Sequence, residues 1–536
     1  MTMPSLDQAP SETTGLLRDL RPTDRSGRSP SGERFRISPE TLLAPIALAT
    51  RLASQAPLTT LVELIRRLTC KLWNLSHVDP VTLQAGGPDS AEQCDAPEIA
   101  RYFATVIAIV GVIEGIILIV GCGILSRISS RYGRKPAFLL VLVAGTIGCC
   151  MISGSQYVAD WISDWVFIVG MIFLLSSGGS TYAYLVNVYV VDVCVPEDRT
   201  AALSKISGWT LLGNCISFAL GGFITTKTGN PLIVFYMTAT IYVSTLTYVV
   251  FVLPESFPEE SRSALSRTLL NPSDNGHPVT TRFISLHIFE PLKMLIPTRR
   301  SDGTRNWRLA WCAAHIFVFM VVNCYVSTAW LVLVTSKYNL TPADTGIFFT
   351  TVAVSGTIAL TVILPPLVRL LRPYYPRKIA SSLLAEEDTI NGEEPESETS
   401  DRLDVHLVFV SCVFMAVFYL TAAASDTSQA LILSGICIGF GSIHTPTIRS
   451  LVAGSVHPLK QGEALAAFEM ASNSGDVLSP IVMGSILTAT IGTMPLLSFY
   501  VHLVVILISG ALLFLIRDTD RYQKPREGGV ATHVVN

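Results

Sequence analysis

Charged residues are scarce in this chain: Asp, Glu, Lys and Arg make up 15% of 536 residues, against 50% hydrophobic, and mean hydropathy is +0.48. That shortage excludes a soluble globular domain of ordinary composition, and a net charge of -3 offers no handle for nucleic acid. Catalytic signatures are missing too. There is no Gly-rich phosphate loop, no zinc-type Cys/His spacing and no nucleophile elbow, and no carboxylate pair sits in a soluble stretch large enough to house a reaction. Neither an ATP-driven pump nor an enzyme is expected, and no cofactor or metal. The first forty residues lack the apolar core and cleavage site of a signal peptide. Rich in Ser, Thr, Pro and Arg, residues 1–40 read as a disordered cytosolic tail.

What the chain has in abundance is long apolar runs. A helix needs about 20 mostly apolar residues to cross roughly 30 Å of hydrocarbon. The runs that qualify are Leu42–Leu64, Phe103–Leu125, Ala137–Ile152, Trp165–Val190, Ile206–Ile224, Leu232–Leu253, Leu309–Val334, Ile347–Leu367, Val405–Ala424, Leu431–Ala453, Ala464–Ile491 and Leu496–Ile516. They predict an all-α polytopic membrane protein with twelve transmembrane helices in two six-helix bundles, over residues 41–254 and 309–517. A polar linker, 255–308, joins the bundles and contains an amphipathic piece (Ile284, Leu286, Ile288, Phe289, Leu292, Leu295) expected to lie on the inner leaflet. The acidic insertion 386–404 should be a solvated loop, and 518–536 a cytosolic tail.

The bundles are copies of one design. Pro196, Ala202, Gly213, Ser217 and Gly222 return as Pro458, Ala464, Gly475, Ser479 and Gly484, every pair separated by 262 positions. After a two-residue slip, Pro231-Leu232 and Phe235-Tyr236 return as Pro495-Leu496 and Phe499-Tyr500. Duplicated membrane bundles place substrate between the repeats.

Basic residues set the orientation, because positively charged loops stay in the cytosol. Arginines and lysines crowd before the first run (Arg18 to Arg36), after the second (Arg127 to Lys135), before the seventh (Arg299 to Arg308) and after the last (Arg517 to Arg526), so both termini are expected inside. Arg66, Arg67 and Lys71 break the rule beside the first outer loop. Two glycosylation sequons, at Asn74 and Asn339, fall in loops this topology places outside. Cys70 and Cys94 flank the first outer loop and are either a disulfide pinning it or two free thiols; the remaining cysteines lie mostly in the spans and read as packing residues. Glu12 to Leu17 fits an acidic dileucine sorting pattern as well as chance. The membrane is thus either the plasma membrane or a vacuolar/endosomal one.

After the second run comes Arg131-Tyr132-Gly133-Arg134-Lys135-Pro136, after the fourth Asp192 to Arg199, and at the end of the sixth Pro254-Glu255-Ser256; a fainter Tyr375-Pro376-Arg377-Lys378 follows the eighth. These motifs resemble the loop signatures of the major facilitator superfamily, and the texture is most similar to fungal members related to proton-coupled folate and drug-type carriers. The resemblance implies transport by alternating access and a gating loop made by Arg131, Gly133, Arg134, Lys135, Asp192 and Arg199. Two positions depart from the pattern: the expected Gly and Asp are Ser126 and Ser130, so the basic half of the signature is present and its acidic partner absent. In the fifth span, where drug antiporters carry Gly-Pro, this chain has Ser217-Phe218; Ser479-Pro480 stands at the matching place in the second half.

Polar side chains inside spans are the site candidates, because a central charge costs about 2.5–3.5 kcal/mol on insertion scales. Glu114 and Arg51 should lie at similar depth, either as a proton or substrate-carboxylate switch or as a permanent ion pair. Asp476 and Asn214 occupy equivalent repeat positions, and Glu469 and Asn473 share the Asp476 stripe. His444 and Arg449, with Pro446 kinking the helix between them, are placed to bind an anion, relay protons or simply hydrogen-bond. His315, Asn323 and Asn187 complete the set. Tyr182, Tyr184 and Trp330 either stack on an organic substrate or pack. The expectation is a monomeric secondary transporter in a lipid bilayer moving a small organic solute, a drug or secondary metabolite among them, with protons as the candidate coupling ion. The rival is a nutrient sensor of the same fold that binds without moving its ligand.

Overall fold

The computed structural model describes residues 39–77, 97–270, 287–299, 305–330, 342–375 and 401–517, apart from positions 197, 229, 231, 328, 425, 426, 491, 492 and 495. The regular secondary structure of the described chain is helical apart from a two-residue hairpin in the linker, Thr298–Arg299 against Arg305–Asn306. Among the described residues, twelve helical segments match the expected spans, and two further helices, Glu259–Leu270 and His287–Leu295, lie in the linker. Eight of the twelve are long and apolar enough to cross a membrane. The other four are the first, fifth, seventh and eleventh, and they carry most of the charged and amide candidates: Arg51, Asn214, Asn323, Glu469, Asn473 and Asp476.

Interruptions fall at regular places. The first span is Pro39–Gln55 followed by Leu58–His77, broken at Pro57, which has no N–H to continue the ladder. The fourth is Asp160–Ser176 and Gly179–Val193, parted at Ser177-Gly178. The seventh (Arg308–Asn323) turns at Cys324-Tyr325, and the tenth (Ser428–Gly441, His444–Ala453) at Ser442-Ile443. One span in every three is broken, which is the repeat expressed in backbone. The tenth-span kink precedes His444, correcting the expectation of a kink at Pro446; that proline sits in the first turn of the new helix, where a missing N–H is harmless.

The duplication is plain in the fifth and eleventh spans, Arg199–Thr228 and Gln461–Thr490, whose limits differ by 262 positions at both ends. A Cβ added at Gly213 would come within 2.6 Å of the Leu48 carbonyl oxygen in the first span, and one at Gly475 within 2.6 Å of the Phe317 oxygen in the seventh. Each glycine lets its helix touch the backbone of its neighbour. The sixth and twelfth spans, Leu232–Phe251 and Leu497–Leu512, agree: Phe235 and Phe499 are both 0% exposed, whereas Tyr236 and Tyr500 are 46% and 44% exposed.

Several expectations need correcting. The first span does not end at Leu64 but runs to His77, carrying Arg66, Arg67 and Lys71 on a helix. Those cations are paired, Arg67 and Arg66 with Glu63 and Lys71 with Asp164 at 3.0 Å, which offsets their charge on this helix. Asn74 therefore lies in the last turns of a helix rather than in a loop; Asn339 lies outside the described residues. Cys70 is disulfide-bonded, and Cys94, its expected partner, lies outside the described residues. The described part of the amphipathic linker piece, His287–Leu295, packs on the second and eleventh spans, its Ile288 backbone against Gly123, and so rests on protein. The acidic insertion also stops earlier than expected: Asp404 is buried in the first turn of the ninth span, Arg402–Ala424.

Candidate functional site

The gating loop is assembled at the basic end of the first bundle. Gly133 adopts φ 104°, a left-handed conformation that lets the chain turn sharply between the second span, Pro97–Tyr132, and the third, Arg134–Gly154. The Glu255 carboxylate accepts from the backbone N–H of Arg134 (2.7 Å) and Lys135 (3.1 Å), capping the third span, where helix dipole and orphan donors favour an anion. The Arg134 guanidinium is buried, donates to Asp192 at 2.7 Å and to Ser129 at 2.6 Å, and lies over the Phe257 ring. The acidic half missing from the local signature is thus supplied by Asp192 and Glu255, and the serine that Arg134 meets is Ser129. Lys135 donates to the Val250 carbonyl, Arg199 is buried, and Arg131 is exposed beside Tyr132.

This end also joins the halves. Tyr184 donates to the Gly462 carbonyl at 3.2 Å, and Arg134 abuts the same glycine at the start of the eleventh span. Thr200, opening the fifth span, lies 3.1 Å from Asp404 of the ninth and 2.8 Å from Ser450 of the tenth. Ser204 donates to the Leu360 carbonyl at 2.5 Å, within a π-helical segment, Ala359–Ile363, of the eighth span. Asp404, Thr200 and Ser450 escaped the sequence reading because hydroxyls at helix ends have no signature; the one available signal was a carboxylate opening an apolar run.

Charged groups gather where the eleventh span meets the second and the tenth. Arg449 donates to Glu469 at 2.7 Å, both side chains largely buried. One turn on, the Asn473 amide lies 3.7 Å from the Cys122 sulfur of the second span, bridging the halves. Asp476 is within electrostatic range of Glu469 and Glu114. Gly115, next to Glu114, packs on Val477, next to Asp476. Among the described residues, only Glu469 of these three carboxylates bonds Arg449. Among the described residues neither Glu114 nor Asp476 has an ion pair or hydrogen bond, and both are partly exposed.

The remaining candidates divide. Arg51 does not pair with Glu114; its guanidinium lies against Gly179 at the break in the fourth span. Asn214 has a buried Oδ1 without a hydrogen-bond partner among the described residues. Asn187 is buried and Asn323 half-buried beside the seventh-span turn. His444 faces His315, not Arg449: their Nε2 atoms are 2.8 Å apart inside the second bundle. The three aromatics are buried, Tyr182 stacked on Tyr242 and Trp330 on Phe348, so they pack the bundles.

A family model described as Major Facilitator Superfamily matches residues 96–385 and 397–535. The chain belongs to the major facilitator superfamily. Among its relatives in that superfamily is the major facilitator-type transporter psiT1 of Psilocybe cyanescens, 33% identical over 420 residues, covering 75% of this chain and 88% of the relative. The efflux pump ustT of Aspergillus flavus is 21% identical over 341 residues, 62% of this chain and 61% of the pump. In fold, the chain is similar to the human organic anion transporter MFSD10 (TM-score 0.64, 15% identity, covering 89% of this chain and 100% of that one). The proton:xylose symporter XylE gives 0.58 at 12% identity, over 89% and 95%. A superfamily member with these apolar helices is an integral, multi-pass membrane protein.

Proposed function

We propose that this superfamily member is a proton-coupled secondary transporter that moves a small organic solute by alternating access. The observation that carries the reading is the charge imbalance at the junction of the halves: of the three carboxylates Glu114, Glu469 and Asp476, Glu469 alone has a cationic partner, Arg449, among the described residues. Glu469 is neutralised by Arg449. Glu114 and Asp476 are left to exchange protons, because a lone carboxylate in a membrane interior needs a cation, a proton or water. They lie on different halves, so a rocking motion that separates the second span from the eleventh alters the field each feels.

The contacts described between the halves support a state closed at the basic, cytosolic end, where Thr200, Ser204 and Tyr184 tie them together. Asn214, with its unpaired oxygen, is the group we assign to hydrogen-bonding the solute. Few fixed charges line the spans, so a neutral or amphipathic compound is the substrate class, and the naming of a relative as an efflux pump supports outward movement. The test is uptake and efflux by reconstituted vesicles over a panel of labelled neutral and amphipathic compounds, with and without an imposed pH gradient. Flux that follows the gradient and falls in Asp476→Asn and Glu114→Gln is expected. Flux indifferent to both the gradient and an uncoupler refutes proton coupling, and binding without net movement refutes transport in favour of a sensor.

A further inference from the structure

We propose that the second bundle holds a cuprous ion between His315, Cys412 and His444. These residues come from the seventh, ninth and tenth spans, all three are buried, and their ligand atoms lie within 4.8 Å of one another. They are 97 and 32 positions apart in sequence (315 to 412, 412 to 444), so no metal-type spacing betrays them.

The protons are arranged as a ligand set requires. The Ser509 hydroxyl donates to the His315 carbonyl at 3.1 Å, and His315 Nδ1 lies 2.7 Å from the Ser509 carbonyl oxygen, so Nδ1 carries the hydrogen. His315 Nε2 therefore presents a bare lone pair, with the ring oriented from behind by a carbonyl, as metal-bound imidazoles are. It points at His444 Nε2. The His444 ring is held flat on Phe319, 3.6 Å away and 3° from parallel, and its Nδ1 is buried with no partner among the described residues. Bonds of about 2.0 Å to nitrogen and about 2.3 Å to sulfur would set the two nitrogens roughly 3.4 Å apart. The present 2.8 Å thus needs a small opening, which the adjoining turn at Ser442-Ile443 can supply.

Charge selects the ion. Two neutral imidazoles and one thiolate sum to a single negative charge, which a monovalent cation cancels; zinc would leave a net positive charge in an apolar interior. Thiolate and imidazole are also donors that suit soft cuprous ion. On binding, the ion replaces the thiol proton of Cys412, the hydrogen on His444 moves from Nε2 to Nδ1, and one proton leaves. No redox step is involved.

The full chain, purified in detergent on a tag free of histidine, is loaded with cuprous ion under a reductant, or with zinc in a parallel arm, and dialysed. About one copper per chain is expected, with Cys412→Ser and His444→Phe each lowering affinity roughly 100-fold or more, since even loss of an outer-shell partner typically costs roughly 10–100-fold. X-ray absorption of the wild-type protein, which needs no variant to fold, should show two nitrogen neighbours and one sulfur. Absence of retained copper, retention of zinc in its place, copper held equally by Cys412→Ser, or a copper environment without sulfur would each overturn the assignment.

Discussion

The two halves build the same corner with opposite signs. Where the third span begins, the first half places a cation, Arg134, answered by Asp192 and Glu255. Where the ninth begins, the second half places an anion, Asp401, and the cation is Arg308 from the start of the seventh span, also bonded to Ser455 at 2.7 Å and to the Arg517 carbonyl at 3.4 Å. Backbone contacts, by contrast, are copied faithfully: Gly213 and Gly475 press on their neighbours at the same 2.6 Å. Helix packing fixes residue size at a position, whereas a buried ion pair fixes only that its charges sum to zero. The charged partners therefore sit on different spans in the two halves, whereas the glycines hold the same place.

The comparison can be broken most severely at the arginine the halves do not share. Glu469→Gln leaves Arg449 buried and unpaired, and thermal unfolding should register a loss of about 3–5 kcal/mol. Ser207→Ala, at the matching position 262 residues earlier, should change little. Next come the corners: Asp192→Asn and Asp401→Asn should each cost about 2–5 kcal/mol, because each strands a buried guanidinium. Exchanging the pair, Arg134→Asp with Asp192→Arg, should recover part of what either change alone loses, measured by the same unfolding. Gly213→Ala and Gly475→Ala should cost about 1–3 kcal/mol each through overpacking, and by similar amounts if the halves are true copies. Smallest of all, Lys71→Ala should cost at most about 1 kcal/mol, since its bridge to Asp164 is exposed.

Much of the fold was legible because apolar length and repeat spacing are one-dimensional signals. The offset found at Gly213 and Gly475 proved to delimit whole helices. Helix breaks were less legible: Pro57 carries a chemical cause, but Ser177-Gly178 and Ser442-Ile443 are ordinary dipeptides whose bends depend on neighbouring spans. At the site, the stripe Glu469, Asn473, Asp476 was readable from helical spacing. Its partners were not, since nothing local says that Arg449 turns to Glu469 while Arg51 turns to Gly179. The same blindness hid the His315, Cys412 and His444 cluster, which exists only once three helices meet.

The proposed alternating access requires the contacts at the basic end to open in every cycle. The Thr200 and Ser450 hydroxyls, 2.8 Å apart on opposite halves, mark the place to forbid it. In the double variant Thr200→Cys with Ser450→Cys, oxidation should form a cross-link that stops solute flux in reconstituted vesicles, and reduction should restore it. Flux that continues undiminished while that link is intact would contradict the account.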